Sequence, residues 1–336
     1  MPSRRCRFAL LGFGTVGSAV ARRLTPTHIL DRRAALKRAQ HPELSDVAWT
    51  GSIDAVLQSD VDVVVEAIGG VEPATAWIEA ALAAGKSVVT ANKQVMARDG
   101  MRLLRLAARR GLQLRFEAAV GGAMPIVRAI GDGLAGDRLT RIVAILNGTS
   151  NAVLSQMDAT GCSLATALAD ARARGFAEAD AAADLDGDDA RAKLAILCAL
   201  AFGVRIEPSR IPARSCATVD VGDLAAARRE GGTIRQIARA EYDHAGATLT
   251  ASVAPEVVPR SSIFGRTSGP GNAAIITGVY AGDIGLFGAG AGGDATAVAI
   301  VSDLLAIARS ETSDFRLQTS DFRLQTSDLQ PLEEAC

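Results

Sequence analysis

A chain of 336 residues, 49% hydrophobic, 22% charged and only 4% aromatic, is long enough for two domains and has the composition of a soluble globular protein. Its formal net charge of −1 leaves no field to draw in nucleic acid or anionic lipid, and no run of about 18 apolar residues is present to cross a membrane. The five cysteines (Cys6, Cys162, Cys198, Cys216, Cys336) are odd in number and lack any CxxC spacing, which disfavours a disulfide framework and a zinc site alike; a reduced cytoplasm is the expected compartment.

The chain opens with basic residues before an apolar stretch, MPSRRCRFALLGFGTVGSAV. Gly12 and Gly14 break that stretch, and a strand over Phe8–Leu11 followed by a glycine turn explains it better than a signal peptide. Gly12, Gly14 and Gly17, with Phe13, Thr15 and Val16 between them, form a G-x-G-x-x-G fingerprint that follows a buried strand and opens a helix. The three glycines serve different ends, since Gly12 turns the chain, Gly14 lets backbone approach a pyrophosphate, and Gly17 lets the helix pack closely. A short strand at His28–Leu30 ends at Asp31, about twenty residues past the first glycine, where a carboxylate grips the ribose 2′-hydroxyl of NAD. Arg32 and Arg33 follow at once and would suit the 2′-phosphate of NADP, so the cofactor signal is split.

VDVVVEAIGG, Val61–Gly70, is an apolar run bearing one carboxylate, as expected of a parallel strand buried on both faces. Pro73 starts an Ala-rich helix that closes at Gly85, and KSVVT, Lys86–Thr90, is a further strand. This alternation implies an α/β fold with a doubly wound parallel sheet of the Rossmann type. Asn92 and Lys93 are placed in the loop at the carboxyl end of the last strand, which in such sheets is the ligand crevice.

After Gly111 the pattern changes to that of a second, α+β domain. LQLRFEAAVGGAMPIV reads as a strand and a Gly121–Gly122 turn, and RIVAILNGTSNAVLSQM as a strand, an Asn147–Gly148 turn and a helix. EADAAADLDGDDARAKLAIL then gathers Glu178, Asp180, Asp184, Asp186, Asp188 and Asp189 ahead of Lys193. Aligning Gly187 with the invariant glycine of a calcium-binding EF-hand loop puts Lys193 where a bidentate glutamate is needed, which argues against calcium. A solvated acidic loop is the plain alternative. Against it, Asp189 and Lys193 are spaced i, i+4 at the start of a strongly apolar helix, so both can point along one face into a pocket. A partly desolvated ammonium there can be tuned to move a proton, and its carboxylate neighbours can hold a small substrate's amino group.

Taken in order, GFGTVG, VDVVVEAIGG, VVTANK, FEAAVGGAMPIV, ILNGTSN, GFAEADAAADLDGDDARAKLAIL and GAGAGGDATAVAIVSDLL resemble the homoserine dehydrogenase family from about Phe8 to Leu305. The resemblance implies NAD(P)-dependent interconversion of L-homoserine and L-aspartate 4-semialdehyde, in the biosynthesis of threonine, methionine and isoleucine. It implies that Lys193 carries the proton, that Lys93 of TANK lies beside nicotinamide and substrate as a second catalytic candidate, and that Glu178, Asp184 and Asp189 hold the substrate. The implied cofactor contacts are Gly12, Phe13, Gly14, Thr15, Val16, Gly17, Arg32, Thr90 and Lys93. Glu117, Val120, Gly122 and Met124 match a segment that wraps a monovalent cation, Na+ or K+, largely through backbone carbonyls. Asp180, Asp186 and Asp188 are left to cap the helix and face water.

The resemblance sets the expected domains at 1–116 for NAD(P), completed by helix 294–309, and 117–293 for substrate and for pairing with a second copy as a homodimer. The stretch from Leu24 to Asp54 is shorter than the family usually has, and Ala181 stands where many members have proline. Beyond Ser310, ETSDFRLQTSDFRLQTSDLQPLEEAC is an imperfect duplication, so 310–336 is expected to be a disordered tail, with no room for an ACT domain and no threonine inhibition by that route. Two rival readings remain. Another small-substrate dehydrogenase is disfavoured because His28, His41 and His244 have no catalytic setting; a catalytically silent NAD(P)-binding sensor would need only the first half of the chain.

Overall fold

A computed structural model describes residues 6–177 and 180–310. Its first sheet has strands β1 (Phe8–Leu11), β2 (His28–Leu30), β3 (Ala48–Thr50), β4 (Val63–Glu66), β5 (Ser87–Thr90) and β6 (Leu114–Arg115). They lie in the order β3-β2-β1-β4-β5-β6, and every neighbouring pair is parallel. The chain therefore starts in the middle, winds outward to β3, returns and winds the other way, which opens a crevice at the carboxyl ends of β1 and β4. The strands are short and wholly apolar in the centre because both faces are covered. Ala9, Leu11, Val64 and Val88 face Ile78, Leu82 and Leu103; the alternate residues Phe8, Leu10, Val63, Val65 and Val89 face Ile300, Leu304 and Ile307.

Those last three residues belong to the helix Gly293–Ser310, which begins after the second sheet and packs back on the first. The second sheet contains β7 (Leu139–Ile145), β8 (Gly232–Asp243), β9 (Thr248–Pro259), β10 (Gly271–Gly278) and β11 (Gly282–Ala289), all antiparallel in the order β11-β10-β7-β8-β9. Its covered face carries Ile142, Ala144, Ala238 and Ala240 against Leu194 and Leu197 of the helix Asp188–Phe202. That helix also packs on the helix Lys93–Arg109, whose buried Met96, Gly100, Leu103 and Ala107 recur at helical spacing. One apolar core thus runs from the parallel sheet through two helices into the antiparallel sheet, and it fixes the two helix starts beside each other.

Two local expectations are corrected. Lys93 is not in a loop: it is the first residue of its helix, and Asn92 caps that helix by accepting a hydrogen bond from Val95 N at 3.1 Å. Asn147 likewise is less a turn than a cap, with its Oδ1 accepting from Ser150 N at 2.7 Å to start the helix Gly148–Thr160.

Candidate active site

The glycine fingerprint forms the floor of a cleft of about 740 Å3, lined among others by Gly12, Phe13, Gly14, Asp31, Arg32 and Trp77. Gly12 has φ of +93°, and a Cβ there would lie 2.7 Å from Ala67 O, so no other residue fits without moving the β4 loop. A Cβ on Gly17 would run into Gly12 O, whereas one on Gly14 would meet nothing within 4 Å. Of the three, Gly14 alone has open space where a side chain would stand, which fits a dinucleotide passing over bare backbone. Thr15 and Val16 begin the helix Thr15–Ala21 at that edge. Phe13 is buried, wedged edge-on between His41 and Trp49 with ring centroids 4.9 Å away.

Asp31 is engaged by the protein itself. Its Oδ2 takes the Lys37 ammonium at 2.5 Å and Phe13 N at 3.1 Å, and its Oδ1 takes Arg33 N at 2.9 Å. Burial opposes its ionisation, but the Lys37 hydrogen bond and the two backbone donors outweigh burial and hold its carboxyl below the usual range. Arg32 and Arg33 are exposed on the same rim. Thr90 is wholly buried: its hydroxyl donates to Glu66 Oε2 at 2.5 Å and accepts from Asn92 N at 3.0 Å, so it ties β5 to β4 beneath the crevice. Glu66 is equally buried and accepts from Ile68 N at 2.9 Å, which organises the turn after β4.

Just past the carboxyl end of β5 the two helix starts bring three charged side chains together. Asp189 Oδ1 lies 2.5 Å from Lys93 Nζ, and Asp189 Oδ2 lies 2.7 Å from Lys193 Nζ. Lys193 also donates to Leu146 O at 2.8 Å, at the end of β7. Asp189 and Lys193 sit in the wall, with side chains 6% and 12% exposed, while Lys93 at 40% reaches into the opening. Burial alone would raise the Asp189 pKa; Lys193 and then Lys93 reverse this and hold its carboxyl far below the ordinary carboxylate range. An ammonium so anchored keeps one donor direction for a substrate oxygen.

Asp184 is half-buried beside this group, joined to it through Asn147, whose Nδ2 donates to Asp184 Oδ1 at 2.6 Å and to Asp189 Oδ2 at 2.8 Å. Asp180, Asp186 and Asp188 are exposed; Asp180 accepts from Ala182 N, and Asp188 pairs with Arg191. Glu178 lies outside the described residues. Asn147 and Lys37 are not marked out by the sequence. An asparagine before glycine signals a turn whether or not its amide does anything else, and Lys37 is one base among several in its helix.

The loop from Glu117 to Met124 joins the two sheets. Glu117 is buried and its carboxylate is turned to the helix Ile126–Arg128, accepting from Val127 N and Arg128 N, each at 2.8 Å. Burial pushes its pKa up to about 7 against those donors. Its backbone oxygen accepts from Val120 N at 3.2 Å. Gly121 and Gly122 adopt φ of +84° and +63°, and a Cβ on Gly122 would be 2.5 Å from Ala289 O. Among the described residues no backbone N–H donates to Val120 O or Gly122 O, whereas Met124 O accepts from Ile126 N. Carbonyls left unpaired in a turn suit a hard monovalent cation without any carboxylate. Among the described residues there is no cluster of three or more His, Cys, Asp or Glu side chains that could hold a metal.

Residues 12–117 match the family model described as homoserine dehydrogenase, NAD binding domain, and residues 125–305 match the one described as homoserine dehydrogenase. The chain belongs to the homoserine dehydrogenase family. It is therefore an NAD(P)-dependent oxidoreductase. The homoserine dehydrogenase of Mycobacterium tuberculosis is 39% identical over 321 residues, which are 90% of this chain and 72% of that one. That of Corynebacterium glutamicum is 36% identical over 326 residues, 92% and 73% of the two chains. The crystal structure of a homoserine dehydrogenase from Thiobacillus denitrificans superposes with a TM-score of 0.84 at 32% identity, covering 91% of this chain and 74% of that one.

Proposed function

We propose that the chain interconverts L-homoserine and L-aspartate 4-semialdehyde, in threonine, methionine and isoleucine biosynthesis, with Lys193 as proton carrier and Lys93 as its partner across the crevice. The observation that carries the assignment is Asp189 held between Lys193 and Lys93, the latter standing just past the carboxyl end of β5 in the sheet whose glycine turn lines the dinucleotide cleft. In the reducing direction the Lys193 ammonium delivers a proton to the aldehyde oxygen as that carbon gains hydride; in the oxidising direction the Lys193 amine takes the hydroxyl proton as the carbon loses hydride. NAD(P), when bound, supplies or accepts the hydride. Asp189 holds the Lys193 ammonium in place. Lys93 points at the substrate oxygen from the cofactor side. Asp184, with Glu178, is assigned the substrate ammonium.

NADP(H) is the preferred cofactor in this reading. Asp31 already accepts from Lys37, Phe13 N and Arg33 N, which leaves its Oδ1 one acceptor position for a ribose 2′-hydroxyl and its charge neutralised by Lys37, whereas Arg32 and Arg33 can meet a 2′-phosphate. The backbone oxygens of Glu117, Val120, Gly122 and Met124 are assigned a monovalent cation, Na+ or K+. A homodimer through the antiparallel sheet is supported by Tyr280 and Phe287, which are 80% and 76% exposed beside and on the edge strand β11. The test is the homoserine-dependent rate of NAD(P)H formation with each cofactor, in sodium and in a buffer free of alkali cations, with the mass in solution measured on the same sample. A protein that binds NADPH and turns over no amino alcohol would instead be a silent sensor.

A further inference from the structure

We infer that Asn147 is a positioning residue that holds Asp184 and Asp189 in one substrate-binding array. The inference rests on the homoserine reading above and goes beyond it by naming what keeps two carboxylates side by side. Asn147 is 3% exposed, and its amide is used completely. Oδ1 accepts from Ser150 N and fixes the start of the helix Gly148–Thr160, while Nδ2 directs one hydrogen to Asp184 Oδ1 at 2.6 Å and the other to Asp189 Oδ2 at 2.8 Å. The helix cap thus decides where the two amide hydrogens point.

The need for such a residue follows from charge. Lys93 and Lys193 neutralise Asp189, but Asp184 has no ion pair among the described residues, and two carboxylates separated by one amide group repel. A neutral group with two donors on one nitrogen can bind both at once. A lysine there would cancel the charge that an incoming ammonium needs, and a hydroxyl has only one hydrogen. Gln236 supports the same loop from behind, donating to Asp184 O at 3.2 Å and Leu185 O at 3.3 Å, so the backbone of Asp184 is held independently and only its side chain depends on Asn147.

Asn147→Ser separates capping from bridging, because serine is as good a helix cap as asparagine and cannot bridge two carboxylates. The variant should bind NADPH as the wild type does and melt within a few degrees of it. Its KM for L-homoserine should rise roughly ten- to hundred-fold, the scale of losing a hydrogen bond to a charged group, with a smaller fall in kcat. In an Asp184→Asn background the same substitution should raise KM by much less, since the repulsion it exposes is gone. A folded Asn147→Ser with KM and kcat within twofold of wild type would overturn the proposal, as would equal effects in both backgrounds. Should Asn147→Ser fail to bind NADPH, Asn147→Thr, which also caps a helix and has a single hydroxyl hydrogen, takes its place under the same criteria; failure of both would show a structural role and overturn it. A wild type without homoserine turnover would sink the functional reading itself, and is seen before any variant is made.

Discussion

Asp189 accepts from two ammonium groups in a wall that excludes most water, so its ionisation and the position of Lys193 are one problem. Lys193→Ala should lower kcat by about two to four orders of magnitude, the usual yield of a general acid or base, while the dissociation constant for NADPH, measured by fluorescence, stays near wild type. A variant with near wild-type kcat would move the proton to Lys93 or to water. Asp189→Asn leaves two ammonium groups facing each other and should cost about 3 kcal/mol of stability at neutral pH, the lower end for breaking a buried pair because Lys93 is partly solvated. The sign with pH is fixed. The folded carboxyl lies below its ordinary 3.8, so the native chain binds fewer protons than the unfolded one, and stability rises with pH across that interval. The gap between wild type and Asp189→Asn should therefore be full above about pH 5 and close as the pH falls below 3.8; a gap constant down to pH 2 would show that the charge does not act. At this scale the sequence was informative about Lys193 and Asp189 because i, i+4 spacing carries geometry. It was silent about Asn147, because nothing local tells which carboxylates a capping amide will also reach.

At the level of elements, the glycine turn shows how much a pattern can carry. The fingerprint placed strand, turn and helix start correctly because Gly12 and Gly17 are demanded by contacts within that same stretch and its neighbour strand. Gly17→Ala should drive a methyl into Gly12 O, displace the helix Thr15–Ala21 and weaken NADPH binding by at least roughly tenfold, read by titration; binding within about twofold would mean the turn adapts. The strands β1, β2, β4 and β5 were legible, β4 most plainly as an apolar run buried on both faces and the others as short strands beside turn and helix signals. β3 was not, since Ala48–Thr50 is a half-exposed edge strand of three residues with no apolar run. β8 and β9 were missed because buried polar residues in β8 (Thr233, Arg235, Gln236) and two prolines in β9 (Pro255, Pro259) spoil the strand pattern, and both lie outside any motif. Lys93 was assigned to a loop because its helix opens with the polar pair Lys93-Gln94, and only the Asn92 cap marks the boundary. Cofactor choice also belongs here: Arg32→Asp should lower kcat/KM for NADP by roughly tenfold or more and that for NAD far less, and equal losses would remove the 2′-phosphate from the rim.

Across the whole molecule, the site exists only because the chain crosses between its sheets and returns. The helix Gly293–Ser310 completes the face of the parallel sheet that the helix Thr15–Ala21 only partly covers, with Ile300, Leu304 and Ile307 fully or almost fully buried. The helices starting at Lys93 and Asp188 are locked together by the shared core, and so the lysine of one domain meets the aspartate of the other. Sequence showed the two halves and their order; the junction came only from packing. This junction is the proposed catalytic centre for homoserine. Its most direct test is the initial rate of NADPH formation from NADP and L-homoserine by the purified wild type, run beside Lys193→Ala. A homoserine-dependent rate that nearly vanishes in the variant is expected, while a folded, NADPH-binding wild type with no such rate would mean that the junction serves another substrate or none.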